Sequence, residues 1–302
     1  VSFDANMLLQ AAQQVAGRQQ YPKGTLYLVA TPIGNLADIS LRAVQVLSLV
    51  DAVACEDTRV TGGLLHMLGL HKPLVTLHQH NEREASEGLV TRLQAGERIA
   101  YVSDAGTPAV SDPGATLVAQ AQAAGLVCCP IPGASSVTAA LSVAGDAHTE
   151  GFRFQGFLPA KGAERQQALQ QLGGDTAVVL FEAPHRMAAL AAELMAQCPN
   201  GRLTVCRELS KQFEDVVTMP VAELGAWLTA HGHGSKGEFV LVLHAQAQVA
   251  STELPKAWRN LLAEMIQVMP VKKAAQLLSE ATGHGRNTLY EMALKLKDQG
   301  DC

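Results

Sequence analysis

Residues 99–114 read IAYVSDAGTPAVSDPG, and their reading decides the fold. Four apolar residues, Ile99–Val102, form a run too short for a helix and suited to a strand buried on both faces. The next twelve, Ser103–Gly114, contain two prolines, two glycines and the pairs Ser103-Asp104 and Ser111-Asp112. Such a loop is stiff and rich in local hydrogen-bonding groups, and a loop of this length in a compact domain usually serves a ligand. A helical stretch, 115–124, and a second β-type run, Leu126–Pro130, follow. Strand, loop, helix and strand make a βαβ unit, which requires a parallel sheet.

Working outward, the same alternation fills residues 25–130. Further β-type runs are Thr25–Ala30, Ala52–Cys55 and Leu74–Leu77, with helical stretches near 38–50, 58–69 and 84–95. Asp38 precedes the apolar positions Ile39, Val44 and Leu47 and is expected to cap that helix. Beyond Pro132-Gly133, a helix over 135–143 leads to strands at 152–156, 177–181, 203–207, 214–219 and 239–243, with helices over 162–172, 185–197 and 221–230. The close spacing of the third and fourth strands predicts an antiparallel pair in a mixed sheet. The expected organisation is a flexible leader over 1–22, an N-terminal α/β domain over 23–133 and a C-terminal α/β domain over 134–246. A helical, helix-turn-helix-like segment follows over 255–298.

Composition limits the function classes. With 48% apolar and 17% charged residues, the chain of 302 can bury large cores. No apolar run reaches the roughly 18 residues of a membrane span, and the N-terminus lacks the pattern of a signal peptide. Six cysteines form no CxxC pair, which favours reduced thiols in the cytoplasm. Net charge is −5, yet residues 255–297 hold seven Lys/Arg against three Glu, so a basic end on an acidic body suggests a polyanionic partner touched at one place. The pairs His78/His80 and His231/His233 have no third ligand nearby, and no metal is expected.

Ligands of open α/β sheets bind beyond the C-terminal strand ends. Chemistry-bearing residues collect there: Ala30–Leu36 (ATPIGNL), Cys55–Arg59 (CEDTR), the Ser103–Gly114 loop, Phe181–Arg186 (FEAPHR) and Arg207–Lys211, while Lys236–Glu238 precedes the last strand. A tight turn or a helix cap would explain each singly. His185 is a candidate general base, because an imidazole can take up and release a proton near neutrality. GxxxxGK[ST] does not occur and no GxGxxG follows the first strand, which removes P-loop and Rossmann dinucleotide readings.

Taken in order, LYLVATPIGNL, ACEDTR, SDAGTPAVSDPG, PIPGASS, GFLPAKG, FEAPHR, RELSKQFED and KGEFVLVL resemble the bacterial ribosomal RNA small subunit methyltransferase I family of the tetrapyrrole-methylase superfamily. The likeness runs from about residue 24 to 244, and more weakly across the C-terminal helices. Ala134 and Ala183 stand where relatives often have Pro and Ser. The resemblance implies two α/β domains with S-adenosylmethionine in the cleft between them, and a homodimer. It implies 2′-O-methylation of a cytidine ribose, cytidine 1402, in 16S rRNA or the 30S subunit. Carried over residue by residue, it implies a cofactor cradle of Asp104, Ala105, Gly106, Val110, Ser111, Pro132, Gly133, Ser135, Phe181, Gly237 and Glu238. Candidate catalytic residues are Glu182, His185 and Arg59, with Glu56 and Asp57 beside the last. Candidate RNA contacts are Lys161, Arg186, Lys211, Lys272, Lys273 and Arg286. The alternatives are methylation of a tetrapyrrole on the same fold and a non-catalytic RNA-binding assembly factor.

Overall fold

The computed structural model describes residues 4–78, 81–110, 113–147, 151–230, 236–245, 256–282 and 285–300. Ser111, His80, the pair His231/His233 and Cys302 lie outside them. The contacts divide the chain into two units, 1–245 and 246–302.

The first sheet contains β1 (Thr25–Val29), β2 (Ala52–Cys55), β3 (Leu74–Thr76), β4 (Ile99–Val102) and β5 (Val127–Ile131) in the order β3-β2-β4-β1-β5, every pair parallel. Strands β2 and β4 are buried throughout because helices cover both faces. On one side α1 (Ala5–Ala16), α2 (Leu41–Leu49) and α3 (Thr58–Met67) bury Val44, Leu47 and Leu65 against Tyr27, Val53 and Val102. On the other, α4 (Glu82–Gln94) and α5 (Ala115–Ala123) bury Leu89, Leu93 and Leu117 against Leu26, Ile99 and Tyr101. Each such side chain contributes about 1.5–3 kcal/mol relative to exposure. From β1 the chain winds outward to β2 and β3. From β4 it winds the opposite way, to β5. The adjacent C-terminal ends of β1 and β4 therefore form the topological switch point, where a crevice opens.

Two expectations need correction. Residues 5–16 of the expected leader form a docked helix: Asp4 caps it and Ala12 and Ala16 are buried against the first domain, with Leu8 and Leu9 beside them. Asp38 does not cap α2. It ends a 3-10 turn, Leu36–Asp38, capped by Asn35; extended Ile39 then breaks the path, and Ser40 accepts the cap bond from Ala43 N.

The second sheet is mixed. Strands β6 (Phe152–Phe157), β7 (Ala177–Glu182), β8 (Arg202–Arg207), β9 (Asp215–Pro220) and β10 (Phe239–Leu243) take the order β6-β7-β10-β8-β9. Only β6 and β7 are parallel; β8 and β9 form the expected antiparallel pair. Helix α6 (Ser136–Ala144) packs Val137 and Ala140 on one face against Val179, Val240 and Val242. Helices α7 (Gly162–Gln170), α8 (Met187–Gln197) and α9 (Leu224–Ala230) cover the other. The 246–302 unit consists of α10 (Lys256–Val268), α11 (Val271–Thr282) and α12 (Arg286–Gly300) around Leu262, Ala274, Ala275, Leu278 and Leu289. No helix among the described residues is long and apolar enough to cross a membrane.

Candidate active site

The loops after β1 and β4 are stapled together at the switch point. Thr31 N donates to Gly106 O at 2.9 Å and Gly106 N returns a bond to Thr31 O at 3.1 Å. Thr31 Oγ1 also donates to Ser103 O at 3.2 Å. Gly106 lies at φ +86°, where a side chain is strained. The far end of the loop is held too: Tyr101 OH donates to Pro113 O, and Glu82 Oε1 accepts from Gly114 N and Thr116 N. Thr107 Oγ1 donates to Ala134 O at 3.1 Å and ties the loop to the entrance of α6. Gly133 lies so close to β1 that an added Cβ would stand 2.9 Å from Ala30 Cβ.

Residues of the second domain meet this platform. Ser210 Oγ donates to Asp38, and the Lys211 stem lies against Gly34, where a Cβ would collide with it. Lys211 Nζ is 3.0 Å from Glu208 Oε1 and 3.0 Å from Glu238 Oε2. Burial alone would lower the Lys211 pKa; the two carboxylates outweigh it and raise it. Burial would raise the Glu208 carboxyl, but hydrogen bonds from Lys211 and Glu238 N hold it below the usual range. Ala109, Glu208 and Ser210 are the positive-φ residues other than glycine among the described residues; Glu208 and Ser210 belong to the segment that meets the platform. Strain of that kind, about 1–3 kcal/mol each, persists where surrounding contacts fix it.

Between the domains lies a cavity of about 390 Å³, walled by Ile33, Ala105, Phe181, Leu209, Gly237 and Phe239 among others. Phe181 meets Phe154 and Phe157 edge to face, at 5.1 and 5.5 Å between ring centroids. Of the sequence candidates, Ala105, Phe181, Glu182, Gly237 and Glu238 line this cavity. A second cavity, of about 490 Å³, lies on the other side of the stapled loops and includes Arg59, Ser103 and Asp104. A third, of about 480 Å³, includes Gly133 and Ser135. Val110 and Pro132 are exposed.

The catalytic candidates separate by environment. Glu182 is 2% exposed, and Arg186 Nη2 (2.5 Å), Arg165 Nη2 (3.3 Å) and Ala183 N (2.9 Å) occupy its oxygens. Arg165 in turn binds Glu193 and Pro159 O. His185 is exposed on a 3-10 turn, Pro184–Arg186, whose other two residues are half-buried. Arg59 is exposed and clasps Asp57 at 2.5 Å; its side-chain and backbone hydrogen bonds bring the Asp57 carboxyl down to about 2. Asp104 Oδ1 accepts from Asp57 N at 3.2 Å, so CEDTR and the β4 loop form one cluster. Lys161, Lys272, Lys273 and Arg286 are exposed, and Lys211 is committed to its carboxylates. Sequence reading missed Ile33, Phe157 and Leu209 in the cavity wall and Arg165 behind Glu182. Leu209, Ile33 and Phe157 stood inside quoted motifs; Arg165 carried no signal, since a helix brings it in from 17 residues before Glu182.

Among the described residues no three His, Cys, Asp or Glu side chains converge to hold a metal. The five described cysteines are unbridged.

Residues 25–225 match the tetrapyrrole (corrin/porphyrin) methylases, and residues 252–297 match the RsmI C-terminal HTH domain. Ribosomal RNA small subunit methyltransferase I of Neisseria meningitidis serogroup B is 42% identical over 97% of this chain and 98% of its own length. The Pseudomonas aeruginosa protein of the same name is 44% identical over 90% of this chain and 97% of its own. The chain belongs to the ribosomal RNA small subunit methyltransferase I family. Solved structures share the family's fold at low identity. A cobalt precorrin-4 methyltransferase aligns with a TM-score of 0.55 at 17% identity, covering 75% of this chain and 98% of that one. A Thermus thermophilus uroporphyrin-III C-methyltransferase, complexed with S-adenosyl homocysteine, aligns with a TM-score of 0.52 at 18% identity over 73% and 97%. These define the fold of this family member as that of the tetrapyrrole methylases.

Proposed function

We propose that this chain transfers a methyl group from S-adenosylmethionine to the ribose 2′-oxygen of a cytidine, cytidine 1402, in 16S rRNA. It acts in the cytoplasm, as a homodimer, on the 30S subunit. The observation that carries the reading is near-full-length identity above 40% to proteins named for small-subunit rRNA methylation.

The interdomain cavity suits the donor. Its volume falls within the roughly 300–1,000 Å³ of small-molecule sites, and its wall is largely apolar with aromatic faces. Gly237, at φ +103°, keeps the wall open; a Cβ there would stand 3.1 Å from Arg207 Nε and Glu208 Cγ. Ala105, Gly106, Phe181, Gly237 and Glu238 would hold the cofactor, with Asp104, Val110 and Ser111 along the same loop and Pro132, Gly133 and Ser135 at the hinge. When bound, the cofactor supplies an electrophilic methyl group on a sulfonium.

The chain's own work is alignment and exclusion of water. Alignment can contribute several kcal/mol without any covalent step by the protein, and the apolar wall favours loss of the sulfonium charge. The stapled loops pre-organise half the site. Glu182, fully engaged, fixes Arg186 at the cavity's edge, where a guanidinium can meet a phosphate. A base that accepts the 2′-hydroxyl proton must lie on the accessible side, and His185 and the Asp57–Arg59–Asp104 cluster stand there. Lys161 and the basic residues of the C-terminal helices supply RNA contacts.

Incubating the protein with unmethylated 30S subunits, naked 16S rRNA and methyl-labelled cofactor tests the reading. Label at the 2′-oxygen of one cytidine, in subunits, is expected. No label in rRNA overturns it.

A further inference from the structure

The cavity of about 490 Å³ behind the stapled loops shares no lining residue with the donor cavity. We propose that it is a specificity subsite for a single unstacked nucleotide, the neighbour of the methylated one in the RNA strand. The proposal rests on the RNA-methylation reading above.

Three observations carry it. First, the cavity abuts the donor cavity along both loops. Ile33 faces the donor side while Pro32 and Gly34 line the other; Ala105 faces the donor side while Ser103 and Asp104 line the other. A strand crossing the loop pair thus places consecutive nucleotides on its two sides. Second, the lining is divided in the way a nucleotide is. Leu36, Val60, Leu64 and Met67 offer an apolar floor, and Val60 and Met67 are 46% and 50% exposed although they belong to a folded helix. Single-stranded RNA is read by splaying bases onto such surfaces. At the edge stand the Asp104 carboxylate, one oxygen of which is already fixed by Asp57 N, and the exposed Arg59 guanidinium, steered by Asp57. They match a ribose hydroxyl and a phosphate. Third, the site is built rather than incidental. Asp57 caps α3 and simultaneously orients Arg59, and the Thr31–Gly106 bridge fixes the opposite wall.

Gly63 gives a clean test. It lies on α3 in the cavity lining, and a Cβ there meets nothing within 4 Å. Gly63→Leu fills the subsite from a helix that accepts leucine better than glycine. The full chain and this variant are compared for S-adenosylmethionine affinity, thermal midpoint, and kcat and KM on 30S subunits. The proposal expects unchanged cofactor affinity, an unchanged or higher midpoint, and a KM for the subunit raised at least tenfold. A second arm places 4-thiouridine at the positions flanking the target cytidine in reconstituted subunits and maps photo-crosslinks. Crosslinks from one flanking nucleotide to residues 59–67 are expected. Wild-type kinetics for Gly63→Leu, or crosslinks only elsewhere on the chain, overturn the subsite while leaving the methylation reading intact. Absence of methylation by the unaltered chain is the separate failure of that reading.

Discussion

Glu182 shows how far a residue's surroundings can redirect its chemistry. Sequence placed it at a strand end as a candidate base, and the strand end is where it lies. Its oxygens, however, are taken by two guanidinium groups and a backbone N–H. Removing one partner of a buried ion pair typically costs about 3–5 kcal/mol, because the other charge stays buried. Arg165 keeps Glu193, so Glu182→Ala should cost about 3 kcal/mol in urea unfolding. Glu182→Gln retains an acceptor and should cost less. Its kcat should fall under tenfold while KM for RNA rises as Arg186 loosens. A fall of roughly 10²–10⁴ in kcat with unchanged stability would instead identify Glu182 as the base. Cys206 gives a second prediction at this scale. Burial pushes its thiol up to about 12, with the Glu214 charge adding to it. Since the thiolate is the reactive form, Cys206 should resist iodoacetamide at pH 8 in the native protein, as read by mass spectrometry after digestion. The folded pKa lies above the ordinary value of 9.0, so this thiol's contribution to stability is intact below pH 9 and is lost as pH rises towards 12. Modification of Cys206 as fast as in urea would refute this assignment.

The elements were more legible than their ends. Short apolar runs with helical spacers identified the parallel sheet because strands buried on both faces leave no polar alternation to misread. The β8–β9 pairing followed from a connection too short for a crossover helix. Asp38 was misplaced because three capping side chains, Asn35, Asp38 and Ser40, fall within six residues; only backbone conformation at Ile39 separates the turn from the helix. Helix α1 escaped notice because its inward stripe consists partly of Ala12 and Ala16, which carry little hydropathy but allow close approach to α2. That closeness is testable. Ala12 is fully buried, so Ala12→Glu must either bury an unpaired carboxylate or lift α1 away. A loss of about 2 kcal/mol or more is expected by denaturant titration, with cofactor affinity unchanged, since no α1 residue lines the donor cavity. A neutral substitution would mean that the helix does not hold this position in solution. The site was legible where its residues stood in recognisable motifs, as Gly106, Phe157, Phe181 and Gly237 do, whereas Arg165 comes from a helix outside any such motif and tertiary packing alone brings it to Glu182.

At the scale of the whole molecule, charge separates the two tasks that an RNA-modifying enzyme must perform. The body carries the chemistry on an acidic background, and the helical unit carries excess positive charge. Within that unit, α11 buries Ala274, Ala275 and Leu278 and leaves Lys272 and Lys273 exposed, so the lysines contribute to no core. Each phosphate neutralised by a lysine releases counterions, with a salt slope of about 0.7 per contact on single strands and about 0.9 on B-form duplex DNA. If both lysines meet phosphates, Lys272→Ala/Lys273→Ala should reduce the slope of log affinity for 30S subunits against log salt by about 1.4–1.8. It should also weaken binding most at low salt. The thermal midpoint should not move, because both side chains are exposed and belong to no core. An unchanged slope would assign RNA docking to the body and leave the basic helices to self-association. The wild-type and variant sedimentation profiles, measured over a range of protein concentrations, would then show a difference that salt titration had not.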